Sequence, residues 1–329
     1  MIGVAVVGLG EIGQFHLPAV RQHPDANLIA VCDLDIDLAA RSAQSGEIAS
    51  DDLASLLERP DIDVVDICLP HNLHLPVALE ALAAGRDVLL EKPMAIGLSG
   101  CQEILDAAAT AGKQVAVSHN QLFYQPHVKL IEMAASGALG QLQSMRARLG
   151  IGGKYGAWRT DPERVGGGLL MDAGAHRIYM LLALGGAVRK VSAVMDNPRA
   201  EDRFVVTLEF ESGAIGVADG SYHGPNGVFD DRIEVFGQLG LAEVSGCEAF
   251  FEGYLPEGPR LRRFEDGAWS DLAVPGSWDE SVRDSVQAAL SAFASGAVPP
   301  VDGRAGYETI RVIEAAYEAA QSGSSVALS

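Results

Sequence analysis

The stretch from Ile2 to His16 limits the fold more than any other. Ile2, Val4, Val6 and Val7 form the apolar, β-branched run of a strand buried on both faces, and Gly8-Leu9-Gly10-Glu11-Ile12-Gly13 follows at once. A strand, a glycine turn and a helix start in this order open a doubly wound α/β sheet. Gly8 allows the tight bend, Gly10 lets the backbone approach a pyrophosphate, and Gly13 lets the helix pack closely on the sheet. The anion then sits on N–H groups at a helix N-terminus. Asp33 falls 20 residues after Gly13, at the end of a second strand, Leu28 to Cys32. A carboxylate there accepts both ribose hydroxyls of an adenosine and repels a 2′-phosphate, so NAD is the expected cofactor and NADP the less favoured one.

The alternation continues regularly. Helices from Asp35 to Ser42 and from Asp52 to Arg59, the second with Asp51 as a candidate cap, lead to a third strand, Val64 to Leu69. Pro70-His71-Asn72-Leu73-His74 forms a turn, and Pro76 suits the first turn of a helix closed by Gly85. A fourth strand, Asp87 to Leu90, ends in Glu91-Lys92-Pro93. In the usual doubly wound order this strand neighbours the first, which sets Lys92 at the crevice where ligands bind. A helix from Ser99 to Ala111 and a fifth strand, Gln114 to Ser118, complete the parallel sheet.

Beyond a helix at Pro126 to Ser136 the strands alternate instead of being continuously apolar: Gln141 to Leu149, Val188 to Met195, Arg203 to Glu211, Ala214 to Tyr222, Arg232 to Phe236 and Leu241 to Val244. That pattern predicts a large, mostly antiparallel sheet with one face open for a substrate pocket or a subunit interface. Two helices, Trp278 to Phe293 and Ala305 to Gln321, close the chain. The expected division is a Rossmann domain over 1–120 and a substrate-binding and oligomerisation domain over 121–329; 48% hydrophobic residues suffice for two cores.

A formal charge of −20 argues against nucleic acid or an anionic membrane as partner. No apolar run approaches the ~18 residues of a spanning helix, and Met1 leads straight into the first strand, so a cytoplasmic protein is expected. Cys32, Cys68, Cys101 and Cys247 are scattered and read as reduced core thiols. His71 and His74 are three apart but lack a third ligand, so they read as turn histidines and no metal is expected.

The chemistry concentrates in Gly166-Gly167-Gly168 and the residues up to Tyr179. From Leu170 onward the pattern predicts a helix, on which Asp172 and His176 stack four apart. An imidazole beside a carboxylate can take a proton from a hydroxyl as hydride leaves its carbon. The same spacing also suits a helix cap and a core histidine. Lys92 can polarise a substrate oxygen, or be an ordinary strand-end lysine. Tyr155, Trp158 and Arg159 lie in a glycine-rich loop that can line a sugar pocket or form a lid.

Taken together, these residues resemble the Gfo/Idh/MocA oxidoreductases, a family that includes glucose-fructose oxidoreductase and inositol dehydrogenase. The resemblance rests on GLGEIG with His16, LPHNLH at 69–74, AGRDVLLEKPMA at 84–95, SHNQLFYQP at 118–126, GGGLLMDAGAH at 166–176 and the closing VDGRAGYETIRVIEAAYEAAQSG. It implies that Lys92 contacts substrate and cofactor, that Asp172 binds substrate and orients the histidine, and that His176 accepts the proton. The implied cofactor set is Gly8, Gly10, Glu11, Ile12, Gly13, Asp33, Pro70, His71, His74, Glu91, Lys92 and Asn120. Gln121, Tyr179 and His71 depart from residues common in the family, which bears on the substrate. The resemblance also implies a homodimer or homotetramer assembled through the open sheet. The expected activity is reversible, NAD-dependent oxidation of a secondary hydroxyl of a sugar or inositol-like polyol to a ketone. Two alternatives are a sensor that binds the cofactor without turnover and an enzyme that retains NAD and oxidises transiently.

Overall fold

The computed structural model describes residues 1–153, 157–225, 228–245 and 260–328. The chain starts with β1 (Ile2–Val7), α1 (Glu11–Arg21), β2 (Ala26–Cys32), α2 (Ile36–Ser42), β3 (Ile48–Ser50) and α3 (Leu53–Leu57). Then come β4 (Val64–Ile67), α4 (His74–Ala83), β5 (Asp87–Glu91), α5 (Leu98–Ala111) and β6 (Val115–Ser118). All six strands pair in parallel in the order β3-β2-β1-β4-β5-β6. Every residue of β4 and β6 is buried, as expected where helices cover both faces. Asp35 caps α2 by accepting the Leu38 amide. Asp52, not Asp51, caps α3.

The short β3 is absent from the sequence reading, because three half-buried residues carry no period. It changes the position of Lys92. The strand that ends at Glu91 is the fifth, and β4 lies between it and β1, so Lys92 is one strand further from β1 than expected.

The second sheet follows α6 (Gln125–Ala135) and contains β7 (Leu142–Ile151), then after α7 (Pro162–Val165) and α8 (Gly174–Gly185) the strands β8 (Val188–Met195), β9 (Arg203–Phe210), β10 (Ile215–Ser221), β11 (Phe229–Gly237), β12 (Leu241–Ser245), β13 (Arg260–Glu265) and β14 (Ala268–Leu272). After α9 (Trp278–Ser295) and α10 (Gly303–Ser322), β15 (Val326–Ala327) completes it. The nine strands run β14-β13-β12-β11-β7-β10-β9-β8-β15; β7 and β10 pair in parallel, the other neighbours antiparallel. Burial alternates along β9 and β11. One face packs on α8, and the other exposes Val194, Val205, Phe236 and Trp269. β13, β14 and β15 escape the sequence reading: β13 reads RLRRFE, whose charged residues mask its alternation, β14 is an exposed edge strand, and β15 has two residues.

Residues 1–120 with 282–310 make one compact unit, and 121–281 with 311–329 the other. The sequence reading gave all of 121–329 to the second. Residues 282–310 belong to the first because Val286, Ala289, Leu290 and Phe293 of α9 join one hydrophobic cluster with Val4, Leu17, Val20 and Leu28. Among the described residues no helix is long and apolar enough to cross a membrane.

Candidate active site

In the first unit, the turn after β1 needs its glycines for definite reasons. Gly8 has φ +91°, and a Cβ there would lie 2.5 Å from the Cys68 carbonyl oxygen. A Cβ on Gly13 would lie 2.1 Å from the Gly8 carbonyl oxygen, so α1 can approach the turn only with hydrogen at that position. Gly10 is the N-cap of α1, provides no side-chain cap, and borders open space. A helix start of this kind takes a phosphate on its backbone N–H groups. At the end of β2, Asp33 Oδ2 accepts the Leu9 amide at 2.8 Å and Oδ1 accepts the Asp35 amide at 3.0 Å. Each oxygen has a further lone pair for a ribose hydroxyl. These residues fit a dinucleotide.

Other members of the implied cofactor set have structural work. His74 is fully buried, with Nδ1 2.7 Å from the Pro93 carbonyl oxygen and Nε2 2.8 Å from that of Leu69. Both ring nitrogens are engaged, so His74 braces the turn after β4 against the segment after Lys92. His71 is buried against it, with ring centroids 5.7 Å apart. Glu91 turns inward: Oε1 lies 3.2 Å from His16 Nε2, and Oε2 accepts the Lys92 amide at 3.1 Å. Asn120 is buried at the end of this unit. His16, Asp66 and Cys68 bring ligand-type atoms within 4.8 Å of one another. Burial pushes the Cys68 thiol up to about 12, and the His16 ring is engaged with Asp66, so the set reads as a buried hydrogen-bonded group. Cys32 is likewise a buried reduced thiol, pushed by burial up to about 11; Cys247 lies outside the described residues.

In the second unit, Asp172 and His176 do not share a helix as expected. α8 begins at Gly174, so Asp172 belongs to the turn before it and His176 to its first turn. Glu201 decides this geometry. Its backbone carbonyl accepts the Leu169 amide at 2.8 Å, and its Oε1 accepts the Leu170 amide at 2.8 Å and the Tyr317 hydroxyl at 3.2 Å. A Cβ on Gly168 would lie 2.1 Å from the Glu201 carbonyl oxygen, which explains the glycine run. Glu201 is fully buried, and that burial raises its pKa above the ordinary value.

Asp172 is 5% exposed. Arg159 Nε lies 3.3 Å from its Oδ2, and the Tyr222 hydroxyl donates to the same oxygen at 3.4 Å. The Arg159 guanidinium stacks over the Trp158 ring at 4.6 Å. Burial and the Asp172 carboxylate hold the Tyr222 hydroxyl above its ordinary pKa, so it remains a donor. Arg159, Asp172 and Tyr222 therefore form a cluster of hydrogen-bonding groups suited to sugar hydroxyls. Tyr155 lies outside the described residues. Tyr222 and Glu201 were missed from sequence: Tyr222 closes an alternating strand pattern without distinction, and Glu201 sits in a polar loop.

Residues 2–119 match the oxidoreductase family with an NAD-binding Rossmann fold, and residues 127–243 match the GFO/IDH/MocA C-terminal domain. The chain belongs to the GFO/IDH/MocA oxidoreductases. Within this family it is 32% identical over 260 residues to the uncharacterized oxidoreductase YrbE of Bacillus subtilis, covering 73% of each chain. It is 30% identical over 255 residues to myo-inositol 2-dehydrogenase of Thermotoga maritima, covering 72% of this chain and 73% of that one. The solved structure of GenD2 from gentamicin A biosynthesis in complex with NAD superposes with a TM-score of 0.85 at 27% identity, over 100% of this chain and 96% of that one.

Proposed function

We propose that the protein is an NAD-dependent dehydrogenase that reversibly oxidises a secondary hydroxyl of a sugar or polyol to a ketone. One observation supports this reading above the others: Asp172 is held by Arg159 and Tyr222 immediately before the helix that carries His176. NAD, when bound, supplies the nicotinamide that accepts the hydride. The groups that would hold it are the backbone of Gly8 to Gly13, with Asp33 on the adenosine ribose; the Asp33 carboxylate favours NAD over NADP. His176 accepts the hydroxyl proton, Asp172 binds the substrate and orients the imidazole, and the Lys92 ammonium stabilises the developing oxyanion. Arg159 and Trp158 present a cation and a ring face to the polyol. The open face of the nine-stranded sheet, with Val194, Val205, Phe236 and Trp269 exposed, supports self-association of the chain.

The experiment is a spectrophotometric panel of sugars and polyols with NAD and with NADP. NADH formation with at least one member is the expected result. A sensor would form no NADH with any of them. An enzyme that retains its cofactor would consume substrate without net NADH.

A further inference from the structure

We propose that His16 is a buried imidazolium that clamps Glu91 onto the backbone of Lys92, which makes His16 a positioning residue for that lysine. The inference rests on the assignment of Lys92 to the reaction, and it concerns a histidine outside the residues that meet cofactor or substrate.

His16 lies on α1 with 0% exposure. Its Nδ1 is 3.0 and 2.9 Å from the two oxygens of Asp66 on β4, and its Nε2 is 3.2 Å from Glu91 Oε1 at the end of β5. Both ring nitrogens thus face carboxylates. A neutral imidazole has one N–H, so either tautomer would set a lone pair against an anionic oxygen; only the doubly protonated ring donates both ways. Asp66 and Glu91, buried at 0% and 7% exposure, likewise require a cation between them. The surroundings agree. Burial opposes a charged His16, but Asp66 and Cys68 outweigh it and raise the pKa well above the ordinary value. Glu91 is held below its usual range, with burial opposed by His16, Lys92 and Ser118. Burial holds His119, which also feels the Glu91 charge, down at about 3, so it does not compete as the cation.

The other Glu91 oxygen accepts the Lys92 amide at 3.1 Å. The ring, Glu91 and the Lys92 N–H therefore form one hydrogen-bonded chain from the helix after the glycine turn to the backbone of the lysine. Asparagine at position 16 would supply a donor without the charge and would leave two buried carboxylates uncompensated.

The test reads the ring and the backbone directly. In protein labelled with 15N-histidine, with His16 assigned in the wild type by ring-to-backbone correlations, both ring nitrogens should remain protonated from pH 6 to 9. A singly protonated ring at pH 8 overturns the proposal. In His16→Asn and in Glu91→Gln, hydrogen exchange of the Lys92 amide should accelerate at least tenfold while amides of β7 and β9 keep their rates. Unchanged exchange at Lys92, or equal acceleration in every strand, overturns it. If neither variant folds, the wild-type ring signature decides. Failure of the underlying assignment looks different: Lys92→Met with full turnover in the NAD panel removes the lysine from the reaction and leaves both readouts intact.

Discussion

Asp33 Oδ2 accepts the backbone N–H of Leu9 at 2.8 Å, so the carboxylate that ends β2 also holds the glycine turn that ends β1. On the proposed reading, one side chain would serve both the cofactor's ribose and the loop that receives its phosphates. The two roles separate by substitution. Asp33→Ala should weaken NAD at least tenfold, raise the ratio of NADP to NAD efficiency, and lower stability by about 1–3 kcal/mol because the Leu9 amide loses its acceptor. Asp33→Asn should restore most of the stability and little of the discrimination. Titration of both cofactors with urea melts of both variants measures the two effects independently.

His176→Ala should lower kcat by roughly 10²- to 10⁴-fold, the usual worth of a general base, with NAD affinity unchanged. Steady-state kinetics on the substrate found in the panel, with NADH fluorescence titration, test this. Full turnover in the variant would remove His176 from the mechanism.

Tyr222→Phe removes the hydroxyl that donates to Asp172 at 3.4 Å and little else. The expected loss in kcat/KM is about 5- to 15-fold, the equivalent of one ordinary hydrogen bond, as suits a contact this long, with a melting temperature close to that of the wild type. A catalytic loss with unchanged stability assigns Tyr222 to the site.

Gly168→Ala drives a Cβ into the Glu201 carbonyl oxygen. Backbone must move to make room, at a cost on the order of 1–3 kcal/mol. Chemical denaturation gives the cost. Because the same segment carries Asp172, kcat/KM should fall with it.

Acid should destabilise the protein below about pH 6.5. Burial, with help from Arg177, lowers the His127 pKa to about 4, and burial lowers that of His119 to about 3. In the unfolded chain both take a proton near pH 6.5, so between that value and their folded values the unfolded state binds more protons and stability falls as pH falls. His16 has the opposite sign: its raised pKa stabilises the fold fully below about pH 6.5 and loses effect only as pH rises through its folded value. Urea melts at pH 7.5, 6.0 and 4.5 should show the loss. His127→Asn should flatten that slope relative to the wild type, and an unchanged slope would remove His127 as its source.

Legibility differed between the halves of the chain. The parallel sheet could be read from continuous apolar runs, and β4 and β5 also carried a signal that went unread: Asp66 and Glu91 are carboxylates beside apolar runs in buried strands, which announces a buried partner. His16 is that partner, yet it lies 50 and 75 residues away in the chain. β14 and β15 were unreadable for the opposite reason, since a short or exposed edge imposes no pattern. The Asp172 to His176 spacing was misread as one helix because spacing is blind to Glu201, which accepts two backbone amides from 169–170 and holds that segment out of α8.

Local steric and hydrophobic rules, written residue by residue, were enough to specify the strand, glycine turn and helix, the position of Asp33, and the alternating sheet that follows. Those rules act between neighbours in the chain, and so they show in the order of residues. Which unit α9 packs into, what holds Asp172, and which cation lies between Asp66 and Glu91 depended on groups brought together from distant positions. Burial makes such pairings decisive, because a polar group removed from water must find its partner in space, and its distance along the chain sets no limit on where that partner lies.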